Sequence, residues 1–158
     1  VLNTFALKLG QFDWAKKVLE EHPPERICVT RYPAEAHSLN WGEYYFYRKE
    51  YEEAKKCIAY KPFENPQLSI VAEVLLIKIY FETTDELLDY RVKALDQKVR
   101  RTKMAPIVKE RYYNFLKKLD KVVKYSWQKD SPKRRKLVDE IKTIPEIIER
   151  EWLLEKLK

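Results

Sequence analysis

The stretch Trp41-Gly42-Glu43-Tyr44-Tyr45-Phe46-Tyr47-Arg48-Lys49-Glu50-Tyr51-Glu52-Glu53-Ala54-Lys55-Lys56-Cys57-Ile58 decides how this chain is read. Tyr51, Ala54 and Ile58 fall at steps of three and four, the spacing of one helix face. Pro33 upstream suits a first helical turn, and Pro66 downstream opens the next pair of helices. The reading is two helices, Pro33 to Lys49 and Tyr51 to Tyr60, joined by a short turn. Two glycines in 158 residues, with 36% charged residues, leave little turn chemistry for β-hairpins and favour helix throughout. An all-α fold is expected.

The order and spacing also carry a resemblance. Trp41-Gly42, Tyr45 three residues after the Gly, Ala54 nine after the Tyr, Ile58 four later and Pro66 eight after that resemble a tetratricopeptide repeat. The resemblance implies a TPR-like α-α superhelix, a solenoid of antiparallel helix pairs, because one pair cannot bury its apolar face alone. Gly10, Phe12, Ala15 and Leu19 resemble the turn and second helix of a preceding unit, with Ala15 39 residues before Ala54. Tyr80 and Leu88 follow Tyr45 and Ala54 by 35 and 34 residues and mark a third unit. Lys49 stands where the family often has Gly, so that turn is expected to form without positive φ. The Thr83-Thr84 turn is expected to be one residue short.

Outward from the repeat, Leu2 to Leu9 reads as a helix ending at Gly10, and Phe12 starts another that must stop at Pro23-Pro24. Leu68, Val71, Leu75 and Ile79 form one apolar stripe, and Leu88, Val92, Leu95 and Val99 form a second. Beyond Ala105-Pro106 a long helix reaches about Trp127, and Ser131-Pro132 starts another with Ser131 as its cap. That helix is expected to kink at Pro145 or restart near Thr143. The domain reading is one α-helical repeat domain over 1–158, with three TPR-like pairs in 1–104 and capping helices in 105–158. Val1 is no initiator and the single Met is Met104, so the chain reads as the C-terminal part of a longer protein.

The resemblance implies a non-enzymatic scaffold that binds a protein or peptide partner on its concave face, lined by the first helix of each pair. The matching groove positions are Glu43, Phe46 and Tyr47 in the second unit, then Lys78, Phe81 and Glu82 in the third, with Leu7 and Lys8 in the first. Members that grip a C-terminal carboxylate need polar residues where Ala36, Leu39, Val71 and Val74 stand, and Asn40 alone does not rebuild that clamp. Tyr44, Tyr45, Phe46 and Tyr47 wrap right around a helix, so some of them must pack between helices. Trp14, Trp41, Trp127 and Trp152 sit in apolar patterns and read as core.

Charge opens a rival class. The chain carries +7, yet residues 91–136 hold 17 Lys or Arg against four acids, leaving the remainder net acidic. A field of one sign attracts anions from a distance. Nucleic acid or another polyanion is the alternative partner, and the basic positions are Arg100, Arg101, Lys133, Arg134, Arg135 and Lys136, among aromatics such as Tyr112, Tyr113, Tyr125 and Trp127.

Catalysis has little support in these residues. The chain has two histidines, His22 and His37, and no His-Glu-x2-His, Gly-rich phosphate loop or Gly-x-Ser-x-Gly. No catalytic residue, metal ligand or cofactor is expected. Cys28 and Cys57 lack metal spacing and read as buried free thiols, ordinary for a cytoplasmic protein. No stretch approaches the roughly 20 apolar residues of a membrane span.

Overall fold

The computed structural model describes residues 4–28 and 30–158. These form nine α-helices: α1 (Thr4–Lys8), α2 (Phe12–Glu21), α3 (Pro33–Tyr47), α4 (Tyr51–Ile58), α5 (Pro66–Glu82), α6 (Leu88–Arg101), α7 (Pro106–Tyr125), α8 (Pro132–Thr143) and α9 (Arg150–Glu155). There is no strand among the described residues, so the fold is all-α. Leu2, where the first helix was expected to begin, lies outside them. The chain divides into two compact units, Val1–Lys98 and Val99–Lys158, and the division falls inside α6, earlier than the change of pattern expected at residue 105.

In the first unit, side-chain contacts establish helix direction. Phe46 faces Tyr51 across 5.8 Å, Gly42 meets Cys57 and Ile58, and Ser38 bonds Lys61, so residue numbers fall on one helix as they rise on the next. The α3/α4 pair is antiparallel. Tyr80 with Arg91, and Glu73 with Lys98, establish the same for α5 and α6. Gly42 also meets Leu75 and Tyr47 meets Lys78, with numbers rising together, so α3 and α5 run parallel.

The three hairpin turns share one construction. Gly10, Lys49 and Thr84 all take positive φ, at 72°, 62° and 54°. Each donates its N–H to the carbonyl three residues back (Leu7, Phe46, Thr84's partner Phe81), and the following residue donates to the carbonyl five back (Ala6, Tyr45, Tyr80). This is the paired-bond helix stop that satisfies orphan carbonyls at a C-terminus. Lys49 therefore corrects the sequence reading: the stop is imposed by these two bonds although no glycine is present. The third turn is longer than its counterparts, not shorter. α2 and α4 start two residues after their left-handed residue, and α6 starts four after Thr84, because Asp85 accepts from Leu87 and Leu88 in a further turn.

Helix starts follow local chemistry. Pro33, Pro66, Pro106 and Pro132 each occupy a first turn, where a missing N–H is harmless. Asn65 caps α5 by accepting from Gln67 and Leu68, both at 2.9 Å. Glu35 of α3 accepts the N–H groups of Glu64 and Asn65, tying the loop before α5 back to the preceding pair. The middle of α5 is buried all round from Ala72 to Tyr80, so its expected single stripe is too narrow, and Val71 is exposed. Cys28 is exposed in the connector after α2, contrary to its reading as buried; Cys57 is half-buried, and both thiols are free.

The second unit has its own core, where α7, α8 and α9 pack on one another and bury Phe115, Leu119 and Val122 of α7, Leu137 and Ile141 of α8 and Trp152 and Leu153 of α9. The α8 helix stops before Pro145, as the restriction on a residue preceding proline requires. It neither kinks through the proline nor restarts at Thr143. Arg150 closes its end, donating to the carbonyls of Ile141 and Lys142 at 2.8 Å and to those of Ile144 and Pro145.

Candidate functional site

Two helices supply the groove positions inferred from the sequence. Glu43 and Tyr47 lie one turn apart on α3, and Lys78 and Glu82 one turn apart on the neighbouring parallel α5. The structure brings Phe46, Tyr47 and Lys78 together: the Lys78 ammonium lies 4.8 Å from the Phe46 ring centre and 5.8 Å from that of Tyr47. Phe46 and Lys78 are 7% and 5% exposed, so both belong to the packing between the helices. Glu43 is half-buried and accepts the Thr4 hydroxyl at 2.8 Å. Tyr47, Phe81 and Glu82 are also half-buried, Lys8 is exposed, and Leu7 is core. Of the four consecutive aromatics, Tyr44 and Phe46 point inward and Tyr45 and Tyr47 are partly open.

Trp152 is buried and Trp41 half-buried, but Trp14 and Trp127 are 52% and 79% exposed, against their reading as core. Trp14 precedes the inward Ala15 on α2, and Trp127 lies beyond the last turn of α7.

A cleft of about 210 Å³ that the sequence did not announce opens between α3 and the end of α4. His37, Ser38, Trp41, Tyr45, Cys57 and Lys61 line it. The Trp41 indole donates to His37 Nε2 at 3.1 Å, and Lys61 donates to Ser38 Oγ at 3.1 Å. Burial pushes the His37 imidazole down and the Cys57 thiol up. The imidazole is thus neutral with its acceptor nitrogen engaged, and the thiol is a poor nucleophile at neutral pH.

Several of the basic residues are engaged by carboxylates or backbone carbonyls. Glu73, 2% exposed on α5, accepts from Lys98 at 2.8 Å and Arg91 at 3.3 Å, and Arg91 also stacks on Tyr80. A lone acid inside an apolar run was the available sequence signal for that buried ion cluster. In the second unit Arg111 pairs with Glu146, and Lys118 and Lys121 share Glu140. The hydrogen bond from Lys118, with Lys121 adding to it, holds the Glu140 carboxyl below its usual range against the opposing effect of burial. Arg134 is half-buried, its guanidinium on the carbonyls of Leu157 and Lys158. Arg100, Arg101, Lys133, Arg135 and Lys136 are exposed.

Among the described residues no group of three His, Cys, Asp or Glu side chains is placed to hold a metal ion, and no helix is long and apolar enough to cross a membrane. No family model matches the chain, and neither a curated protein nor a solved structure matches it.

Proposed function

We propose that the first unit is a non-catalytic binding module of TPR-like helix pairs, stacked as a short solenoid, that takes a protein or peptide segment along its first helices. The observation that carries this reading is the parallel pairing of α3 and α5 behind matching left-handed turns. Such an arrangement sets equivalent residues of successive pairs side by side, a geometry suited to reading an extended or helical segment. Glu43, Tyr47, Phe81 and Glu82 are the contact residues, since each retains partial exposure. Phe46 and Lys78 support them from beneath.

The test is a peptide-library selection on the folded chain, followed by titration of recovered peptides against Tyr47→Ala, Phe81→Ala and Glu82→Lys. At least one peptide should lose about tenfold in affinity per aromatic removed, as expected for a buried interface anchor, when each variant is titrated well below its own melting transition. Selection of no peptide, or of peptides indifferent to all three changes, refutes the assignment.

A further inference from the structure

We infer that the corner between α7 and α8 is a docking site for single-stranded nucleic acid, with Trp127 as the stacking platform for a base and the cations around it as phosphate contacts. This goes beyond the peptide-binding reading and concerns the other unit. Trp127 leaves 79% of its surface in water, whereas Trp152 of the same unit is 7% exposed. Lys124, Lys129, Lys133, Arg135 and Lys136 are all exposed within the thirteen residues 124–136, whose one acid is Asp130. The acids Glu140 and Glu146 of the same unit are already paired with Lys118, Lys121 and Arg111.

The start of α8 adds to that positive charge. Its first residues after Pro132 are Lys133, Arg134, Arg135 and Lys136, with no acid in the first turn and no side-chain cap from Ser131. A helix N-terminus carries partial positive charge, so these cations oppose the helix dipole in the free protein. A phosphate strand laid across the corner turns that repulsion into attraction. The corner is also held in shape, because Gln128 donates to the Tyr125 carbonyl, Ser131 to that of Gln128, and the Arg135 guanidinium to that of Asp130.

A strand with exposed bases fits better than the other polyanions. Among the described residues of 120–136, Val123, at 38% exposure, is the exposed large hydrophobic side chain besides Trp127, too little for burial in a lipid interface. An acidic protein would match the charge, but its aromatic rings are not coupled to its anions, whereas every nucleotide carries a flat base beside each phosphate. Alternating cation and ring contacts are how sequence-tolerant single-strand binders work.

The experiment measures anisotropy of labelled oligo-dT and oligo-U with the full chain across a salt series, beside inorganic polyphosphate and phosphatidylserine-containing vesicles. Oligonucleotide affinity should fall steeply with salt. Trp127→Ala should weaken it about tenfold, Trp127→Phe should restore part of the loss, and neither should affect polyphosphate. Joint reversal of Lys133, Arg135 and Lys136 to Glu should abolish both interactions. If that variant does not fold, the same three positions changed to Gln give the same readout. Absence of a complex at low salt, indifference of oligonucleotide binding to Trp127→Ala, or tighter capture by vesicles than by oligonucleotide each overturns the assignment.

Discussion

The Lys78 ammonium sits 4.8 Å from the centre of the Phe46 ring, with both side chains almost wholly withdrawn from solvent. A buried ammonium is unfavourable unless something replaces its water, and the faces of Phe46 and Tyr47 do part of that. Phe46→Leu keeps most of the volume and removes the ring. It should cost about 1–2 kcal/mol, and less in a Lys78→Met background. A denaturant double-mutant cycle that returns no coupling contradicts this account.

Lys49 and Thr84 occupy left-handed backbone that a β-carbon disfavours, and Thr is the worse fit because it is branched there. Thr84→Gly should stabilise the first unit by about 1 kcal/mol and Lys49→Gly by somewhat less. Thermal melts of the two variants rank the turns directly, and a lower midpoint for Thr84→Gly is the contrary result.

A β-carbon at Gly42 would lie 3.1 Å from Ile58 and 3.2 Å from Leu75, where α3, α4 and α5 converge. Gly42→Val adds branched bulk at that junction and should destabilise by about 2–3 kcal/mol despite its better helix propensity. Urea titration should show a lower midpoint with an unchanged slope.

Glu140 binds protons less readily folded than unfolded, through Lys118 first and then Lys121. Its contribution is therefore present above the ordinary glutamate range and is lost as pH falls through the lower folded value. Glu140→Gln should reduce stability at neutral pH and flatten the acid limb of the stability profile. Parallel acid limbs for the parent and the variant contradict the assignment.

Helix identity was legible wherever periodicity and proline agreed. Tyr51, Ala54 and Ile58 announced α4, and Pro66 marked α5 to the residue. The stop at Lys49 was not legible, because its left-handed geometry follows from two backbone bonds and the packing of α4, which no side-chain preference records. The proposed groove positions rest on their places in the pattern, and pattern alone does not reveal that Phe46 and Lys78 cover one another. Glu140 and Glu146 were invisible for a related reason: a count of charges along the chain misses which cations a distant carboxylate neutralises. Trp127 was misplaced because the apolar pattern of α7 extends beyond its last turn.

Of the helices in the first unit, α3 alone touches α1, α2, α4 and α5. Opening it strips support from every one of those neighbours, so its amide protons should report the global unfolding equilibrium, whereas those of α1, with Phe5 in water, should exchange by local fraying. A hydrogen-exchange gradient falling away from α3 is the kinetic imprint of that central position.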